Sequence, residues 1–225
     1  MLLDTILGWL QSRIKPLYLK LEVLRGHTFI NRFDSNSVLV DLGANRGEFS
    51  RLMSERYPFS KVVMVEANPD LAQELKTNFN QERFQVINAA VGPESRSSVK
   101  FHISNDPEAS SIIKSFSEME VGARKEVEVQ MVTLEDIFSA CGLKQIALLK
   151  MDLEGAEWDV LDRFSRDDYE RIDQLSVEFH DFNDSSLRQR TEACINRLKS
   201  LGYSLHHTGA DQRQGTPYMD CLFHK

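Results

Sequence analysis

"SVLVDLGANRGEFSRLMSER", residues 37–56, decides the fold. Val38, Leu39, Val40 and Leu42 belong to a short apolar run that reads as a buried strand over 37–43. Gly43 and Gly47 follow it, and glycine permits both a tight turn and a close backbone approach. Residues 48–56 then read as a helix. The turn is Gly-x-Asn-x-Gly and not the dinucleotide fingerprint Gly-x-Gly-x-x-Gly, because Asn45 and Glu48 stand at the later glycine places. Asp41 and Glu48 beside the turn would repel a pyrophosphate but suit a cationic ligand.

The same alternation continues on the C-terminal side. Residues 61–69, "KVVMVEANP", read as a second strand, 70–79 as a helix and 83–92, "RFQVINAAVG", as a third strand. Residues 97–104 and 125–132 alternate with period two, and so predict a two-stranded excursion bracketing a polar loop at 105–124. Thr133 with Asp136 predicts a capped helix over 133–142. Strand 146–151, helix 154–164, strand 174–182 and helix 186–200 follow, and 202–208 with 218–225 are expected to close the sheet as an antiparallel pair. The expected fold is Rossmann-like α/β: a doubly wound, mostly parallel sheet with an antiparallel C-terminal strand and helices on both faces.

Composition narrows the function. The 225 residues are 41% hydrophobic, enough for one large core. A formal charge of −7 argues against nucleic acid as a partner, a role that needs a basic footprint. Cys141, Cys194 and Cys221 are few, odd in number and without metal spacing, which suits reduced thiols and a cytoplasmic location. No apolar run is long enough to span a membrane, and the first residues make a poor signal peptide. Residues 1–36 are expected to form an N-terminal helical segment, with a stripe at Leu3, Ile6, Leu7, Leu10 and Ile14 and an interruption at Pro16. The stripe lacks a rich basic face, so packing or a homodimer contact is favoured over peripheral contact with a membrane surface. Residues 37–225 form the main domain, with the excursion at about 97–132 as an insertion.

Ligands of doubly wound sheets bind at the carboxyl ends of the strands, so polar residues there carry the function. Glu66 ends the second strand, where a carboxylate can take both hydroxyls of a ribose. "LLKMDLEGAEW", residues 148–158, places Lys150, Asp152, Glu154 and Glu157 where a buried strand ends. Charge there is costly unless something uses it. Lys150 and Asp152 share one strand face, as do Glu178 and His180. An even register between these strands would set Lys150 beside Glu178 and Asp152 beside His180. The four form the candidate catalytic group.

These pieces resemble a class I S-adenosylmethionine-dependent methyltransferase, specifically the FkbM-type O-methyltransferase family. The matching stretches are "VDLGANRGEFS" (40–50), "VEANP" (65–69), "INAAVG" (87–92), "VTLEDI" (132–137), "LLKMDLEGAEWDVL" (148–161) and "SVEFH" (176–180). The resemblance implies that Asp41, Gly43, Ala44, Asn45 and Gly47 surround the methionine part and ribose edge of S-adenosylmethionine. It implies that Glu66 holds the ribose diol, that Asn68 closes the adenosine side, and that Asn88, Ala89 and Ala90 line the adenine pocket. Asp152 would face the methionine or the acceptor. The acceptor would be a hydroxyl on a small molecule, sugar or glycan, lipid or polyketide.

An aliphatic hydroxyl benefits from a base as it attacks, and His180 beside Asp152 is the favoured base. A divalent cation on Asp152 with Glu154, Glu178 or His180 is the second option, and no ligand spacing demands one. Two readings compete with methyl transfer. One is a nicotinamide-dependent oxidoreductase, disfavoured by the missing fingerprint. The other is a non-catalytic cofactor-binding scaffold, disfavoured by the joint presence of Asp41, Glu66 and Asp152. The loop 105–124 is expected to cover the acceptor pocket.

Overall fold

Val38–Leu42 forms a central strand because its side chains alternate between two apolar environments. Val40 and Leu42 enter one core with Ile137, Phe138, Trp158 and Leu198, while Leu39 enters a second with Phe49, Met53 and Leu75. A strand buried on both faces needs a parallel sheet between two layers of helices. The computed structural model describes residues 20–104, 110–112, 123–181, 185–211 and 216–225 and shows that arrangement.

In chain order the elements are strands β1 (Leu21–Leu24), β2 (His27–Ile30) and β3 (Val38–Leu42), helix α1 (Glu48–Arg56), β4 (Lys61–Glu66), α2 (Pro69–Asn78), β5 (Phe84–Asn88), β6 (Ala90–Val91), β7 (Arg96–Ser104) and β8 (Ala123–Val132). They continue as α3 (Leu134–Cys141), β9 (Leu148–Met151), α4 (Glu157–Leu161), α5 (Arg166–Arg171), β10 (Gln174–Glu178), α6 (Arg188–Leu201), β11 (Ser204–Asp211) and β12 (Thr216–His224). The main sheet runs β11-β12-β10-β9-β3-β4-β5, with β12 antiparallel to both β10 and β11 and the other pairs parallel. This is the expected Rossmann-like architecture. The chain winds outward from β3 in one direction and later returns to β9 on its other side. The crevice between the β3 and β9 carboxyl ends is therefore the topological switch point at which such sheets bind ligands.

Some elements differ from expectation. Residues 21–30, expected within a helical segment, form a β-hairpin. Arg25 and Gly26 both take positive φ, 51° and 84°, as the two central residues of a tight primed hairpin turn do. Gln174 ties this hairpin to the sheet. Its side chain accepts from Ile30 N at 2.7 Å and donates to Ile30 O at 3.1 Å. The third strand breaks at Ala89, and β6 leaves the main sheet to pair with β8. With β7 it makes a separate three-stranded sheet containing the expected excursion. Helix α5, not foreseen, starts at Ser165 in a capping box with Asp168. Thr133 and Asp136 form the expected capping box of α3. The N-terminal stripe at 2–14 and most of the loop 105–124 lie outside the described residues.

Candidate active site

Two loops meet at the switch point. One runs from Gly43 to Gly47 after β3, the other from Asp152 to Ala156 after β9. Gly43 sits at φ 74°, and a Cβ there would lie 1.8 Å from the Asp152 carbonyl oxygen, so only glycine allows the two loops to touch. Gly47, at φ 75°, starts α1 and packs so closely on Leu75 and Phe79 that a Cβ would fall within 2.7 Å of both. Asn45 also takes positive φ, 50°, which asparagine tolerates better than most residues.

A cleft of about 300 Å³ opens above these loops, at the small end of the range for ligand pockets. One end is walled by Ala67, Ala89, Ala90 and Val91 with Glu66 among them, the other by Asp152, Glu154, Glu178 and His27. Gly43, Ala44 and Asn45 lie between. Glu66 is buried. Its Oε2 accepts from Asn45 N at 2.8 Å and its Oε1 from Asn68 N at 2.7 Å. Burial raises its pKa, and the two backbone donors oppose that shift. Each carboxylate oxygen keeps a second lone pair for a ligand hydroxyl.

Four residues assigned to the cofactor do not line the cleft. Asp41 is fully buried behind the turn, accepting from Ser50 Oγ at 2.6 Å and facing Lys150 Nζ at 3.3 Å. Gly47 is a packing residue. Asn68 caps α2, accepting from Asp70 N, and Asn88 donates to the Glu66 and Ala67 carbonyls. These four shape the loops that carry the lining residues. The lining set is Gly43, Ala44, Asn45, Glu66, Ala89, Ala90 and Asp152.

The β9–β10 register also corrects the expected pairing. Lys150 lies opposite Ser176, not Glu178. Its ammonium instead reaches Asp41 Oδ1 and Asp152 Oδ2, each at 3.3 Å, and donates to Gly43 O at 2.8 Å. Burial disfavours the charge, yet the two carboxylates hold the lysine pKa above its ordinary value. Burial likewise opposes ionisation of Asp152, but Lys150 holds that carboxyl well below the usual range. Lys150 is thus a structural cation joining the two loops. Glu178 is pushed up to about 8, first by burial and then by the neighbouring Asp152 charge.

His180 lies beside Asp152 as expected, its Nε2 3.7 Å from Asp152 Oδ1, but it is not among the residues lining the cleft. Strand β10 ends at Glu178, so the alternation expected to carry His180 to the cleft stops one turn of chain earlier. The imidazole is buried behind the cleft wall with Nδ1 2.9 Å from Glu157 Oε1 and Nε2 3.3 Å from Glu154 Oε2. Burial works against its charge, but Glu157 and Glu154 raise its pKa well above the ordinary histidine value. Glu157, fully buried, also accepts from Leu153 N and Gly155 N. The His180–Glu157 pair therefore shapes the loop that carries Asp152 and Glu154.

Sequence reasoning missed the residues brought in by the hairpin. Arg25 and His27 line the cleft, and His27 Nε2 faces Asp152 Oδ2 at 3.8 Å. Of the loop expected over the acceptor, the described residues Ser110 and Ile112 line the cleft, and Ser111 Oγ donates to Glu154 O at 2.6 Å.

The methyltransferase sdnD of Sordaria araneosa is 25% identical over 213 residues, covering 82% of each chain. Methyltransferase 1 of Beauveria bassiana is 28% identical over 186 residues, covering 72% of this chain and 75% of that one. The crystal structure of the FkbM methyltransferase from Methylobacillus flagellatus KT shares the fold, with TM-score 0.54 and 18% identity over 86% of this chain. This chain spans 44% of that longer protein. The methyltransferase FkbM domain matches residues 41–205, the whole span from the end of β3 into β11. The chain belongs to the FkbM methyltransferase domain family.

Proposed function

We propose that the chain moves a methyl group from S-adenosylmethionine to a hydroxyl oxygen of a small molecule, sugar or glycan, lipid or polyketide. One observation carries this reading: a single cleft joins a ribose-type carboxylate, Glu66, to a second group of carboxylates, Asp152, Glu154 and Glu178. The first end fits the donor. Alanines and valine suit a flat adenine, Glu66 suits a ribose diol, and the turn at Gly43–Asn45 lets backbone approach the amino acid part. The second end fits a neutral polyhydroxyl acceptor. Its carboxylates accept hydrogen bonds from hydroxyls and repel anionic groups.

S-adenosylmethionine supplies an activated methyl group on a sulfonium centre. The protein then has to align an acceptor oxygen with that methyl, mainly an orientation effect. Asp152 stands at the second end, directly against the Gly43 turn, and is fixed by Lys150, so it is the residue we assign to acceptor placement. The nicotinamide and scaffold readings have no comparable support.

Transfer of radiolabelled methyl from S-adenosylmethionine into a panel of hydroxyl-bearing small molecules and glycans tests the proposal. The product should be an ether, stable to mild alkali. Labelled product that mild alkali releases as methanol would mean carboxyl methylation and overturn the hydroxyl assignment.

A further inference from the structure

His27 lines the cleft, with its ring edge-on to Phe49 at 5.4 Å between centroids. It is 3% exposed, yet its Nδ1 is buried without a hydrogen-bond partner among the described residues. Nδ1 has no partner, and Nε2 faces Asp152 Oδ2 at 3.8 Å, beyond hydrogen-bond reach. Glu178 offers a carboxylate oxygen within 4.8 Å of the His27 and Asp152 donor atoms, and Asp220 lies opposite it on β12. Buried polar atoms are almost always paired, so His27 Nδ1, Asp152 Oδ1 and Asp220 Oδ1, none with a hydrogen-bond partner among the described residues, together mark a place for something not supplied by the chain.

We infer that His27, Asp152 and Glu178 form a divalent cation site at the acceptor end of the cleft. Their donor atoms lie within 4.8 Å of one another, and all three side chains line the cleft. They come from three separate elements: β2, the loop after β9 and the end of β10. Two carboxylate oxygens and one imidazole nitrogen suit Mg²⁺ or Mn²⁺, and the Lys150 ammonium 3.3 Å from Asp152 is shared with Asp41 and the Gly43 carbonyl. A second trio, Asp152, Glu154 and His180, meets the same distance limit. It is already satisfied internally, because both nitrogens of His180 face carboxylates at 2.9 and 3.3 Å and the ring does not reach the cleft.

Use of the cation in catalysis rests on the hydroxyl methylation proposed above; the site itself does not. A cation there would orient the acceptor hydroxyl and make it more acidic. The O–H bond breaks and its proton passes to water in the open cleft. The oxygen forms a bond to the methyl carbon, and the sulfur keeps the electron pair of the broken S–C bond.

The test is Mn²⁺ binding to the chelator-treated full chain, followed by electron paramagnetic resonance of free Mn²⁺. One Mn²⁺ per chain is expected. His27→Gln and Glu178→Gln should each weaken binding by ~10-fold or more, the scale on which even outer-shell partners act. Glu154→Gln should bind as the parent does. Circular dichroism and calorimetry of S-adenosylmethionine binding show that each variant remains folded. Loss of Mn²⁺ in Glu154→Gln with retention in both other variants would overturn the assignment, as would no Mn²⁺ binding at all. Unchanged methyl transfer by metal-free enzyme would remove the cation from catalysis and leave hydroxyl methylation standing. Mn²⁺ bound as expected with no hydroxyl acceptor methylated would do the reverse.

Discussion

His180 Nδ1 lies 2.9 Å from Glu157 Oε1, and both side chains are buried out of reach of the cleft. An ion pair of this kind is costly to break from one side, because the surviving charge stays buried. His180→Ala should therefore cost ~3–5 kcal/mol of stability, read by chemical denaturation. Any lost transfer would come from displacement of the Asp152–Ala156 loop. Added imidazole should then fail to restore activity; restoration would return His180 to the role of base.

The donor end is tested at Glu66. Glu66→Ala removes the carboxylate proposed to hold the ribose diol and strips Asn45 and Asn68 of an acceptor for their backbone N–H groups. Affinity for S-adenosylmethionine should fall by ~1.5–3 kcal/mol, the scale of a hydrogen bond to a charged group. Calorimetry on the folded variant checks this. Unchanged affinity would remove Glu66 from the ribose.

Gly43→Ala tests the contact between the two loops. The new Cβ would meet the Asp152 carbonyl oxygen at 1.8 Å, and the left-handed φ of 74° alone costs a non-glycine residue ~1–2 kcal/mol. Backbone must move at the junction of donor and acceptor. A large drop in thermal midpoint together with lost cofactor binding is expected. A variant that melts and binds as the parent does would show that this junction is soft.

The hairpin should detach in acid. Tyr57 Oη donates to Glu22 Oε2 at 2.6 Å and Asn31 Nδ2 to Glu22 Oε1 at 2.7 Å, which lowers the Glu22 pKa, the tyrosine contributing most. A lowered folded pKa gives stability that is complete above the unfolded glutamate value and lost as pH falls through the folded one. Denaturant titrations at pH 7 and about pH 3 should show a smaller acid loss in Tyr57→Phe than in the parent. Equal losses would show that this bond does not couple to protonation.

Elements whose own residues dictate them were legible in the sequence. Strand β3, its glycine turn and α1 follow from an apolar run, two glycines and a helical stripe, and Thr133 with Asp136 announced α3. Glu66 and Asp152 could be found because each ends a strand. Register could not be read: nothing in the two stretches fixes Lys150 opposite Ser176, so its expected partner was wrong. The nearness of His180 to Asp152 was legible, although His180 lies just past the end of β10 and outside the cleft lining. The hairpin went unseen because each strand has only four residues and its turn is Arg-Gly, outside the usual Asn-Gly signal.

The Arg25–Gly26 turn has a consequence for how this enzyme can be altered. The family match begins at Asp41, after the hairpin, yet His27 and Arg25 form part of the cleft wall. The proposed donor half is thus built from the common domain, and one side of the proposed acceptor half from a short appendage held by Gln174. Such an appendage is transplantable in principle. Exchanging residues 20–31 between two members of the family should change which hydroxyl is chosen while leaving the grip on the methyl donor as it was.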